Sequence, residues 1–326
     1  MSAHPPPGRP VFDPADRVPA LAALRDSVQR QDWDAVRSSF DALTDEDDRA
    51  VASRVVADLP DSEPFLQQAA DRAPRDPLAR TLLADRLIRS AWGIRSRARA
   101  EHVSRRQFDG FHAHLRRAEM LLIDVCAEHP RYALAWYLRL MTSRGLELGQ
   151  GESRRRYDRL AEHHPHHYAG QQQLLQQLCP KWSGSWDAAH TFADACAKAS
   201  PAGSPNAALV AVAQLEQFMD VMRNEDAAAA QAYARSPGNR ERRLAAAAHS
   251  VLHPDARTDA RTDAYVQVDA HCAFAITHGA ALHPEAAAPH FLALGDRASE
   301  FPWHYLDNGD PEAVFVRHRT TALAQG

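Results

Sequence analysis

Three groups of residues in this 326-residue chain have types and spacing that could do chemistry: a histidine run, a lysine–tryptophan turn and a block of arginines. His163, His164, His166 and His167 form HHPHH, and imidazoles are common zinc ligands. A structural zinc site needs four converging nitrogen or sulfur ligands. Pro165 interrupts the run and no cysteine pair lies near, so these read as loop histidines at a helix end, and no metal is expected. His112 and His114 stand two apart on a helix and point different ways. His271 and His278, seven apart with Cys272 beside the first, share a face, but that spacing is common in a chain with 18 histidines. No HExxH, GxSxG, Walker loop or strand-borne GxGxxG occurs. The reading leans to a non-catalytic protein without a cofactor.

The turn is the more distinctive feature. Lys181 is one of two lysines, against 36 arginines, and lies in CPKWSGSW between Cys179 and Trp186. As a binding site, Lys181 and Arg139 would clamp a carboxylate and Trp136 and Trp182 would anchor apolar side chains. Gln172, Gln173 and Gln176 would supply backbone-like hydrogen bonds. As architecture, Ser185 caps the next helix, Gly184 makes the turn and Trp182 packs between repeats. Both readings stand at this point. Tyr132, Trp136 and Arg139 are expected on a partly open stripe beside the core positions Leu134, Leu138, Met141 and Gly145. Nine arginines from Arg86 to Arg117, against Glu101 and Asp109, could meet a phosphate-rich partner, with a solvated helix face as the plainer reading. Eight acids fall between 41 and 63, so oppositely charged ends could steer self-association.

These residues must be held by helices. The chain has 62 Ala and 14 Gly, which favours helix and disfavours sandwiches, barrels and doubly wound sheets. Scarce lysine beside abundant arginine matches a GC-rich coding sequence, so arginine alone says little about nucleic acid, which a net charge of −4 also disfavours. Apolar positions three and four apart predict some fifteen helices from residue 13 onward, with a helix start at Thr44 and its following carboxylates. Pro130, Pro165, Pro201 and Pro237 follow one another at 35, 36 and 36 residues. Gly93, Gly149 and Gly184 each lie 19 residues after a proline (74, 130 and 165). A period near 34 with a glycine turn and a terminating proline matches tetratricopeptide (TPR) spacing. The expectation is an all-α, TPR-like α-solenoid, a right-handed superhelix of antiparallel helix pairs. Residues 1–12 would be a flexible Pro-rich tail and 13–326 a single domain, with its clearest repeats at 74–237 and irregular helices at 238–326.

CPKWSGSWDAAHTF (179–192), FHAHLRRAEMLL (111–122), AEHPRYALAWYLRL (127–140) and AEHHPHHYAG (161–170) together resemble an uncharacterised family of bacterial TPR-like proteins, common in actinobacteria. That family carries a Pro-Lys/Arg-Trp-x-Gly-Ser turn followed by a helix ending in Phe-Ala, here Pro180–Ser185 with Phe192 and Ala193. The resemblance covers roughly residues 60–220 and implies a fold class, with no catalytic residue to carry over.

The four cysteines, 126, 179, 196 and 272, show no paired spacing and read as buried thiols of a reducing compartment. No apolar run reaches the ~20 residues of a membrane span, and the first residues lack a signal-peptide core. A cytoplasmic scaffold for a protein or peptide partner is therefore expected. The alternatives are an enzyme or a small-molecule or metal binder with a pocket inside the superhelix and, third, a nucleic-acid contact through the Arg86–Arg117 face.

Overall fold

Local capping starts many of the helices. Asp32, Asp45, Ser104, Ser185, Asp226, Ser236 and Asp310 each place a side-chain oxygen on a backbone N–H of the first turn, satisfying donors that the helix itself cannot. Ser104 and Gln107 close a reciprocal capping box. The cap before the carboxylate run is Asp45, not Thr44: its Oδ1 accepts from the amides of Asp47 and Asp48.

The structure is a computed structural model that describes residues 8–95, 103–256, 265–304, 306 and 310–326. Arg97, Arg99, Glu101 and most of the duplicated DARTDARTDA stretch lie outside the described residues. Among the described residues there are seventeen α-helices and no strand; Val11 and Arg297 form an isolated bridge. The chain is all-α.

Contacts divide it into two compact units, one of residues 18–183 and the other of residues up to 17 with 184–326. The first unit holds α1 (Pro19–Gln29), α2 (Trp33–Asp41), α3 (Glu46–Asp58), α4 (Glu63–Arg72), α5 (Pro77–Arg95), α6 (Arg105–Glu128), α7 (Ala133–Gly145), α8 (Gln150–Ala161) and α9 (Tyr168–Leu178). Within it α1, α3, α5, α7 and α9 pack each on the next, and α4 to α9 pack in succession. Helix α3 also packs on α7 and α9. The odd-numbered helices therefore pack on one another.

The second unit holds α10 (Trp186–Ala199), α11 (Leu209–Asn224), α12 (Ala227–Arg235), α13 (Pro237–His249), α14 (Tyr265–Ala280), α15 (Pro284–Leu294), α16 (Glu300–Trp303) and α17 (Pro311–Gln325). Its centre is α14, which packs on α11, α12, α15, α16 and α17. Of the segment expected as a tail, residues 8–12 are tied to this unit. The Val11 amide donates to the Asp296 carbonyl at 2.7 Å and the Ala298 amide donates to the Val11 carbonyl at 3.0 Å. Arg319 donates to the Gly8 carbonyl at 2.9 Å.

The punctuation differs from the expected pattern. Pro130, Pro165, Pro201 and Pro237 each follow a helix end, and Pro237 also opens α13 at its first position, where its missing N–H is no loss. Gly149 takes a left-handed φ of 86° before α8. At the later turn Ser183, not Gly184, is left-handed, with φ 67°, and Gly93 lies inside α5. Gly145 has another reason: a Cβ there would collide with Leu115 and come within 3.1 Å of Phe111, so α7 approaches α6 only through glycine.

The contact that draws α3 to α9 is a long-range cap. Asp47, nearly buried in the first turn of α3, accepts from the amides of Tyr168 and Ala169 at 2.9 Å each. A carboxylate there meets two unsatisfied donors and the positive end of a helix. Asp47→Ala is expected to lower unfolding free energy by about 2 kcal/mol, read as a shift in urea midpoint. The exposed Asp34→Ala should stay within about 0.5 kcal/mol of wild type.

Candidate functional site

Trp182 sits at the end of α9, in a 3-10 turn over Pro180–Trp182. Its amide donates to the Cys179 carbonyl at 2.9 Å, and its carbonyl accepts from Gln177 Nε2 at 3.2 Å. The turn is thus held from α9 itself. The indole meets Trp92, near the end of α5, edge to face at 6.4 Å, and Trp92 meets Phe111 at 5.0 Å. The Arg144 guanidinium, from the end of α7, lies 5.8 Å from the Trp92 ring centre and 5.7 Å from that of Trp182. Arg95 lies 5.7 Å from Trp92 on the same helix. A cation on an indole face is worth ~0.5–2 kcal/mol as water is withdrawn. Both indoles and Arg144 are half-buried, and Lys181 beside them is exposed. Aromatic faces with cations at hand suit a carboxylate joined to an apolar group.

The chain matches no protein-family model, no curated protein and no solved structure.

The predicted binding residues separate into two places. Trp182 belongs to this aromatic cluster, with Lys181 next to it in the turn, as does the main chain of Gln173, whose carbonyl faces Arg144 at 3.5 Å. The Gln172, Gln173 and Gln176 side chains are half-buried along α9. Trp136 and Arg139 lie elsewhere and are not on an open stripe: both are only 7% exposed. Trp136 Nε1 donates to the Pro130 carbonyl at 2.8 Å. Arg139 lies 5.1 Å over the Trp136 ring and donates to Glu119 at 2.9 Å. Arg156 of α8 donates to both Glu119 oxygens, at 2.8 and 3.0 Å, and Thr142 donates to Oε2. One carboxylate on α6 thereby clamps α7 and α8, and Arg139 is committed inside the unit. Sequence reasoning missed Trp92 and Arg144. The repeat register held a signal, since Trp92 and Trp182 stand one and two residues before the glycines at 93 and 184.

The charged runs meet each other. Arg89 pairs with Asp58 at 2.8 Å, Arg117 pairs with Glu63 at 3.3 Å, and Arg86 donates to the Ala57 carbonyl at 2.8 Å. These parts of the basic face and the acidic run are thus engaged within one unit, not displayed as opposite ends.

A polar cluster that the sequence did not reveal lies among α3, α5, α7 and α9. Ser53 donates to Asp85, whose carboxyl burial pushes up to about 6, against the lowering pull of Arg89 and of Ser53 itself. Tyr137 stacks on His167 at 5.6 Å, and burial raises its phenol to about 12. Of the HHPHH run, only His167 is buried, and its Nδ1 accepts from the Gly170 amide at 3.0 Å. Among the described residues no group of three or more His, Cys, Asp or Glu could hold a metal ion. All four cysteines are buried, and burial raises the Cys126 and Cys272 thiols to about 11, which leaves them unreactive.

In the second unit His271 and His290 approach through their Nδ1 atoms at 3.0 Å, so one carries the shared proton and the other accepts. His290 also stacks on Phe274 at 5.1 Å and on His278 at 5.8 Å. Burial, with Arg297 adding to it, pushes His271 down to about 4; burial and then Arg243 push His278 to about 3.

Two outcomes follow. Glu119→Gln leaves buried Arg139 without a carboxylate and Arg156 with Glu152 alone, and should lower stability by roughly 3–5 kcal/mol, measured by urea unfolding. For the histidines, folded-state values lie below the ordinary 6.5, so the unfolded chain binds more protons below that pH. Their stabilising contribution is complete above pH 6.5 and is lost as pH falls towards 4. The urea midpoint should therefore drop between pH 6.5 and 5, and His290→Gln should flatten that drop.

Proposed function

We propose that this chain is a non-catalytic helical-repeat module of TPR type that binds a segment of a protein or peptide partner. One observation carries the reading: the Arg144 guanidinium lies on two half-buried indoles, Trp92 and Trp182, with Lys181 exposed at the same turn. Lys181 and Arg144 would take a carboxylate, and the indole edges would take the neighbouring apolar side chain. The site lies at the helix ends, because the inner faces of α3, α7 and α9 are packed on one another. Arg139 and Trp136 have no part in it. The packing of helices two apart in the first unit supports a repeat architecture, and the resemblance of residues 60–220 points the same way.

A displayed library of random peptides, panned on the full chain, tests the proposal. Enriched peptides should carry an acidic group, or a free carboxyl end, within a few residues of an apolar side chain. Lys181→Glu should weaken a selected peptide at least tenfold in a titration while leaving the melting temperature unchanged, since Lys181 is exposed. Lys181→Ala with Trp182→Ala should abolish binding. No acidic enrichment, or unchanged affinity in Lys181→Glu, overturns the site.

A further inference from the structure

The two sides of α6, the longest helix of the first unit, differ in kind. One buries Phe111, Leu115, Ala118, Leu122 and Val125. At about 3.6 residues per turn the opposite face carries Ala113, Arg116, Met120, Ile123, Asp124 and Ala127, and all six are exposed. Met120 is 68% exposed, more than any other large apolar side chain described, and Ile123 is 45% exposed.

Helix α8 shows how a solvated face of this unit is built. There Arg154 pairs with Asp158 at 2.9 Å, Arg155 with Glu152 at 2.7 Å and Arg159 with Glu162 at 3.5 Å, all within the helix. The open face of α6 has apolar side chains at its middle and no such pairing. Neither the Arg116 nor the Asp124 side chain has a partner among the described residues. The nearest acid along the helix from Arg116 is Glu119, which is buried on Arg139 and Arg156. Arg116 and Asp124 stand roughly 12 Å apart along the axis, so one helix cannot bring them together.

The order of residues on this face is symmetric about Met120. Ala113 and Ala127 lie seven positions to either side, and Arg116 and Asp124 lie four positions to either side. An antiparallel second α6 crossing at Met120 sets methionine on methionine. Alanine then meets alanine, which lets the helices approach, and the arginine of each copy stands at the level of the acid of the other. Ile123 meets the aliphatic stem of an arginine. A parallel pair would instead set Arg116 on Arg116 and Asp124 on Asp124, and like charges in contact are unfavourable.

We infer that the exposed face of α6 is a self-association surface, on which a second copy of this chain docks antiparallel about a two-fold axis at Met120. The interface is isologous, so each copy supplies both the arginine and the acid. Some four turns of one helix cover less than the ~800 Å² per partner of a standard interface. The dimer is therefore weak, with a Kd of about 10–100 µM.

Sedimentation velocity of the full chain from about 1 to 200 µM tests this. Wild type should pass reversibly from monomer to dimer. Met120→Glu sets two acids face to face on the axis and should weaken the dimer at least tenfold. Because Met120 is exposed, its melting temperature at low concentration should stay at the wild-type value. Arg116→Asp should weaken the dimer as well, and adding Asp124→Arg should restore it. Cross-linking reads the orientation, since the four native cysteines are buried. Met120→Cys should give disulfide-linked dimers on mild oxidation. Ala113→Cys should not, because its copy lies about 21 Å away along the axis. A chain that stays monomeric throughout overturns the inference. A dimer that Met120→Glu leaves intact does the same, and dimers linked through Ala113→Cys overturn the antiparallel arrangement.

Discussion

Much of the first unit depends on two backbone amides and one carboxylate. Asp47 belongs to the first turn of α3, yet its oxygens close the start of α9, 121 residues later. A helix end carries donors that must be satisfied wherever the chain runs, and this one is buried. Meeting that demand from another helix brings α3, α7 and α9 onto one another. The same approach buries Ser53, Asp85 and His167 together, with the half-buried Tyr137 stacked on His167. The rim lies outside this packing, where α5, α7 and the Trp182 turn end near each other.

The buried charges of the two units show different solutions to one electrostatic problem. Glu119 serves two guanidiniums and a hydroxyl, so the charges taken from water are returned to each other across three helices. Arg243 has amide, imidazole and carbonyl partners but no carboxylate among the described residues. The histidines on α14 and α15 follow a third course: they remain uncharged, and the Nδ1 contact between His271 and His290 serves two rings with one proton. For Arg243 and these histidines burial acts first on the protonation equilibrium, and neighbouring charges adjust it.

Much of the helical content was legible because it is local. Three- and four-residue apolar spacing, the Ser185 cap and the absence of β-branched runs all act within one turn of chain. Pro237 was read as a stop because a proline ends helices as readily as it begins them, and only the fold chooses. The candidate site was legible in half. Lys181 and Trp182 stand at a rare lysine in a distinctive turn, and both lie at the rim. Trp136 and Arg139 have the pattern of an amphipathic helix, but a helix packed between two others has no free face. Which stripe meets α6 and α8 is decided by Glu119, some twenty residues away, and no periodicity reports it. Asp47 and Asp85 were hidden for the same reason, since one acid looks like another until its partner arrives.

The ties between residues 8–12 and the last helices make the second unit discontinuous in sequence. Val11 bridges to 296–298, Arg9 pairs with Glu312 at 2.9 Å, and Gly8 receives Arg319. During synthesis residues 18–183 emerge in one stretch, with the contacts of their own unit complete. Residues 8–12 leave the ribosome before any of that, yet their partners on α17 come more than three hundred residues later. The earliest described segment is therefore among the last to be placed, and its docking reports that the end of α17 has been made.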